Sequence, residues 1–166
     1  EDVPGFGAWQ PRLREYFPEW RNNLQSPEPE FRDGIYLFKV SLGDVWRRIA
    51  APAKARLEDL AQAIFRAFRF DGEHLYCFEF RERDGRSLQV ADPQSQHADL
   101  CTDEFQIGFL PLAARESLTF RYDYGEDWLF DVQLEKIDPP RAAMKKPKVV
   151  ASHGAPPPEY GGDREW

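Results

Sequence analysis

The run "SLTFRYDYGEDWLFDVQLEKI" gathers the acids Asp123, Glu126 and Asp127 around Gly125. Together with Asp71 and Glu73, if the fold brings them near, they could ligate a hard cation through oxygen. The spacing lacks the further ligands and the distal Glu of an EF-hand loop. Asp and Gly are also the ordinary residues of turns, and we read the group as a turn. His74 follows "DGE" and could act as a general base or a ligand. No second His or Cys lies at ligand spacing from it, so a hydrogen-bonded structural histidine is the plainer account. His97 and His153 fall in a polar loop and a proline-rich tail and complete no triad. GxSxG, HExxH and P-loop motifs are absent.

Arg47 and Arg48 in "VWRRI" fall on opposite faces of a strand. One of them could reach an anionic ligand or the acids Asp123 and Asp127; a surface ion pair is the simpler account. Trp128 beside Tyr124 could stack on a ligand or act as cross-strand packing. The binding candidates are therefore His74, Arg47, Arg48, Asp123, Asp127 and Trp128. No catalytic residue, metal or cofactor is assigned.

The elements that must position these residues follow from periodicity. "IYLFKVSL" alternates, with Tyr36, Phe38, Val40 and Leu42 on one face, and "GD" turns it into "VWRRIAAP", a hairpin. "RLEDLAQAIFRAFRF" places Leu57, Leu60, Ala61, Ile64 and Phe68 on one stripe and predicts a helix. Glu58 and Asp59 suit the positive end of its dipole, Arg66 and Arg69 the negative end. "HLYCFEF" is a third strand, and a short strand at Leu88 to Val90 is expected after the turn at Asp84-Gly85. "FQIGFLPLAARES" reads as a buried connector or a single helical turn. "SLTFRYDY" and "WLFDVQLE" both alternate with apolar even positions. Apolar must meet apolar across an antiparallel pair. A two-residue loop would set Phe120 against Asp131, so a three-residue loop at Gly125 to Asp127 is expected, with Tyr124 opposite Trp128 and Tyr122 opposite Phe130. Asp127 would then adopt a left-handed conformation.

Residues 1–33 hold five prolines and six aromatics. "PRLREYF" and "PEWRNNL" suggest two short helical pieces, an arm packing on the domain or on a partner. Residues 34–138 form the core, and 139–166 an extended proline-rich tail packing back on it. The expected fold class is α+β: a mixed, mainly antiparallel sheet in ββαβ-ββ order with one main helix on a face, β-grasp-like.

The chain has 166 residues, 42% hydrophobic and 14% aromatic, enough for a real core. Its net charge of −7 repels phosphate backbones, so direct nucleic-acid binding is not expected. No apolar run approaches the ~20 residues of a membrane span, and no signal peptide is expected. Cys77 and Cys101 form no CxxC; Cys77 should pack as a small hydrophobe, in a reducing, cytoplasmic setting.

Three stretches in order, "WRRIAAPAKARLEDLAQAIFRAFRFDGEHLYCFEF", "FRYDYGEDWLFDVQLEKI" and "HGAPPPEYGG", resemble the plasmid pRiA4b ORF-3-like family. The resemblance spans about Ile35 to Gly162. It implies an α+β fold, bacterial or archaeal occurrence and a link to plasmid or mobile-element genes. His74, Asp123 and Asp127 match the family pattern. Trp128-Leu129-Phe130 departs from the tryptophan, acid, histidine the family commonly has, and Ala155 stands where a cysteine often precedes "PPED". We therefore expect a non-catalytic protein-interaction or regulatory module with a protein partner. The alternative is a metal-assisted hydrolase using Asp123, Asp127 and His74.

Overall fold

The computed structural model describes residues 30–82, 85–95 and 100–160. The two helical pieces expected in the N-terminal arm, Asp84 and His97 lie outside the described residues. The elements are β1 (Ile35–Leu42), β2 (Val45–Pro52), α1 (Leu57–Phe68), β3 (Tyr76–Arg81) and β4 (Ser87–Ala91). A single 3-10 turn (Ile107–Phe109), β5 (Ser117–Tyr122), β6 (Trp128–Asp138) and β7 (Lys148–His153) follow. The seven strands form one sheet in the order β4-β3-β5-β6-β1-β2-β7.

The α+β class holds, but the sheet is not mixed. Among the described residues all six strand pairings are antiparallel, and the one parallel contact is an isolated bridge between Ala91 and Cys101. The β-grasp comparison therefore does not describe this sheet. β7, within the stretch expected as tail, pairs with β2. Among the described residues no helix is long and apolar enough to cross a membrane.

One face of the sheet is dry because pleat alternation carries its apolar residues there. Tyr36, Phe38, Ile49, Phe78, Phe120, Phe130 and Val132 are all at most 1% exposed. Against them α1 lays Leu57, Leu60, Ala61, Ile64 and Phe68, while Gln62 and Arg66 face water. Each such buried side chain contributes about 1.5–3 kcal/mol relative to exposure. The start of α1 leaves N–H groups without helical partners. Leu57 and Glu58 donate theirs to the Phe105 and Thr102 carbonyls, and the Arg56 N–H goes to Asp59 Oδ2 at 3.0 Å. Asp59 is thus half-buried rather than free in solvent. Cys77 is buried on the sheet, with the Gln89 amide donating to its Sγ at 3.2 Å.

The β5–β6 hairpin corrects the expected register. Tyr122 faces Trp128, Phe120 faces Phe130 and Leu118 faces Val132, so the loop is Asp123 to Asp127 and not Gly125 to Asp127. Asp123 leaves the strand with φ 53° and sends its N–H to the Leu75 carbonyl. Its Oδ1 accepts the Gly125 N–H at 3.0 Å, an Asx-type turn. Asp127 is left-handed as expected, with φ 57°. Tyr124, released from the ladder, is 43% exposed and lies under the Arg121 guanidinium, 5.0 Å from its ring.

Candidate functional site

Three loops converge at one end of the sheet. α1 stops at Arg69, left-handed with φ 61°, and the Phe70 N–H returns to the Phe65 carbonyl. The chain then turns through Asp71 and Gly72 to deliver His74 just ahead of β3. β5 ends on Tyr122, and Asp123 breaks away beside it. Beyond β7, Gly154 bends with φ 75° and the prolines bring Glu159 and Tyr160 back over the same spot. Phe65 and Phe70 form the floor, their rings 4.7 and 5.8 Å from that of Tyr122.

The Tyr122 ring is fully buried, yet its hydroxyl lies 2.9 Å from Asp71 Oδ1 and 2.7 Å from Glu159 Oε1. A phenol has one proton to donate, so Tyr122 bridges the two carboxyl groups. The Tyr160 hydroxyl donates to Asp71 Oδ2 at 2.6 Å. Backbone N–H groups complete the network: Glu73 to Asp71 Oδ1 at 2.9 Å, and Asp71 to Glu159 Oε2 at 2.7 Å. His74 Nε2 is 3.2 Å from the Tyr160 oxygen and 3.8 Å from Asp123 Oδ2. Because Tyr160 gives its proton to Asp71, His74 Nε2 must carry a proton to bond the same oxygen.

These bonds set the electrostatics. The Tyr160 hydroxyl first, then the Glu73 N–H, hold the Asp71 carboxyl down to about 2. Asp71 is exposed, so direct bonds to its charged form cause the shift. Tyr160 is raised mainly by bonding that carboxylate. Tyr122 is raised chiefly by burial and then by its bonds to Glu159 and Asp71.

Of the six candidates read from the sequence, only His74 and Asp123 stand in this cluster. Asp127 turns to the outer face and pairs with Arg121 Nε at 2.5 Å. Arg48 grips Glu135 with Nε at 2.8 Å and Nη2 at 2.9 Å, and lies over the Trp46 ring. Arg47 is buried on the opposite face, where its guanidinium donates to the carbonyls of Trp46, Ala67, His153 and Gly154. It also stacks over Phe68 at 5.0 Å, tying the end of α1 to the end of β7. Trp128 is 1% exposed, edge-on to Phe70 at 4.9 Å, and sits in the core. Tyr122, Glu159 and Tyr160 were not singled out from the sequence, and Asp71 only as a neighbour. The signal available was the "EY" inside the third family-like stretch, because a proline-rich segment that returns to the domain must end on something that holds it.

The arrangement can hold and exchange protons among two phenols, a histidine and carboxyl groups. Among the described residues, no three His, Cys, Asp or Glu side chains converge as a ligand set for a metal ion. Fold and site together define an α+β domain with a seven-stranded antiparallel sheet, one covering helix and a tail clasped by tyrosines and carboxylates. Residues 35–165 match the family described as Plasmid pRiA4b ORF-3-like protein, and the chain belongs to that family. No curated protein is significantly similar to it. Its fold is similar to the crystal structure of a protein of unknown function from Methanosarcina mazei Go1, with a TM-score of 0.66. That likeness has 24% identity over 77% of this chain and 74% of the other, and it speaks to fold alone.

Proposed function

We propose that this domain is a non-catalytic protein-interaction or regulatory module, serving plasmid or mobile-element biology in the reducing cytoplasm. The carrying observation is that every carboxylate of the cluster already accepts from this chain's own donors. Asp71 takes Tyr122, Tyr160 and the Glu73 N–H; Glu159 takes Tyr122 and the Asp71 N–H. Asp123 caps its loop, and outside the cluster Asp127 holds Arg121. Such a network clasps the tail and shapes a surface. The partner is a protein rather than a nucleic acid, in keeping with the net charge of −7. The free thiols of Cys77 and Cys101 fit a reducing compartment.

One observation favours a second reading, a metal-assisted hydrolase using Asp123, Asp127 and His74: His74 Nε2 and Asp123 Oδ2 stand 3.8 Å apart. Calorimetric titration of metal-free protein with Mg²⁺, Mn²⁺, Ca²⁺ and Zn²⁺ separates the two. The module reading expects no saturable binding in the micromolar range. Micromolar binding that is lost in Asp123→Asn/Asp127→Asn, or in Asp71→Asn, overturns it.

A further inference from the structure

β7 is the last strand of the sheet and pairs with β2 on one side only. Among the described residues no other backbone group bonds to it. All of its residues but Ala151 are exposed, including Val149 and Val150 at 38% and 54%. The opposite edge differs. There Ala91 of β4 bonds the Leu100 carbonyl and accepts the Thr102 N–H, so chain already covers its end. An edge that no described residue covers, with two adjacent exposed valines, is a template for strand addition.

The approach to this edge is basic on a chain whose net charge is −7. Arg141, Lys145, Lys146 and Lys148 line, with Ala143 and Met144, a shallow cavity of about 370 Å³ directly before and at the start of β7. Among the described residues none of these four cations forms an ion pair, whereas Arg48, Arg121 and Lys136 each have a carboxylate partner. Among the described residues, four cations without an ion-pair partner stand beside a row of β7 backbone donors and acceptors, of which, apart from the pairing with β2, only the His153 carbonyl is taken, by Arg47. Together they complement one chemistry, an extended polypeptide carrying carboxylates. A nucleic acid would satisfy the lysines and leave the strand edge unpaired.

We propose that β7 is the docking edge for an extended acidic segment of a partner protein. The segment adds as an eighth strand, with apolar side chains on Val149 and Val150 and carboxylates over Lys145, Lys146 and Lys148. This inference rests on the interaction-module reading and names its partner chemistry.

The test is a titration of ¹⁵N-labelled protein with a short synthetic peptide of alternating valine and glutamate, followed by amide shifts and hydrogen exchange. Shifts and slowed exchange should map to residues 141–153. The variant Lys145→Glu/Lys146→Glu/Lys148→Glu, whose changes lie on exposed side chains, should bind at least about tenfold more weakly. A valine–lysine peptide, and a valine–glutamate peptide N-methylated on alternate backbone nitrogens, should both fail to bind. Absence of shifts, or equal binding of either control peptide, overturns the proposal. Shifts confined to other elements overturn the edge assignment while leaving the module reading intact, since that reading answers to the metal titration. Sedimentation showing a dimer that the charge-reversed variant dissociates would give the edge to a second copy and likewise overturn it.

Discussion

Tyr122 joins the two halves of the clasp through a single hydroxyl. Its ring is buried against Phe65 and Phe70, so Tyr122→Phe preserves the packing and removes only the shared proton. Asp71 and Glu159 each lose a donor by that change. We expect a loss of about 1–2 kcal/mol in urea unfolding; a loss below about 0.5 kcal/mol would show that the hydroxyl does not bridge. Asp71 offers a second check. Its carboxyl is held down to about 2, against about 3.9 for an unperturbed aspartate. A depressed carboxylate stabilises the folded state above the unfolded value and ceases to do so as pH falls through the folded one. The clasp should therefore hold down to about pH 4 and open between there and about pH 2. Carboxyl ¹³C NMR of Asp71 should titrate near the lower value, and Tyr160→Phe should move it up. A wild-type midpoint near 4 would contradict the Tyr160 bond.

The β5–β6 hairpin shows what a pattern can and cannot specify. Alternation puts Leu118, Phe120, Tyr122, Trp128, Phe130 and Val132 on one face, and all six are buried there. A shift of two residues keeps every side chain on its face, so apolar matching accepts the three-residue and the five-residue loop equally. Asp123 makes the choice. Its left-handed backbone and its N–H bond to Leu75 stop the ladder at Tyr122, and that bond is a contact with another loop. Asp123→Ala should loosen the loop by about 1 kcal/mol through the lost cap, read as faster exchange of the Gly125 and Glu126 amides. Phe130 is 1% exposed and meets Phe68, Phe70 and Phe120 at 5.0, 5.7 and 5.6 Å. Phe130→Ala should cost on the order of 3–5 kcal/mol in denaturant unfolding. A cost under about 1 kcal/mol would mean the site collapses or the face is wrong.

For the molecule as a whole, the tail is part of the sheet rather than an appendage. Deleting residues 148–166 strips β2 of its neighbour and takes the His153 and Gly154 carbonyls from the buried Arg47 guanidinium. We expect a loss of about 3 kcal/mol or more, together with association through the uncovered edge, read by denaturant midpoint and light scattering. Tyrosine ionisation reports on the intact fold. Burial pushes Tyr76 up to about 12, and Tyr122, Tyr124 and Tyr160 are also raised. Groups raised on folding stabilise it below their unfolded value of about 10, and that contribution is lost as pH climbs through the folded values. Absorbance titration should therefore lag that of the denatured chain and complete only with alkaline unfolding; coincident curves would contradict it.

By itself the sequence determined what local periodicity determines. It set the strand and helix faces, the two-residue turn between Leu42 and Val45, a helix from about Leu57 to Arg69, which ends one residue earlier at Phe68, and the family-like stretches. Each depends on residues a few positions apart, where side-chain direction follows from backbone period. Tertiary structure decided the rest. The partners of Arg47 lie up to 107 residues away, and Asp71 meets Tyr160 across 89. Such contacts leave no periodic trace, because a turn acid and a clasp acid look the same until the tail arrives. Likewise Lys148 to His153 read as tail, since a short, exposed edge strand has too few buried positions to alternate.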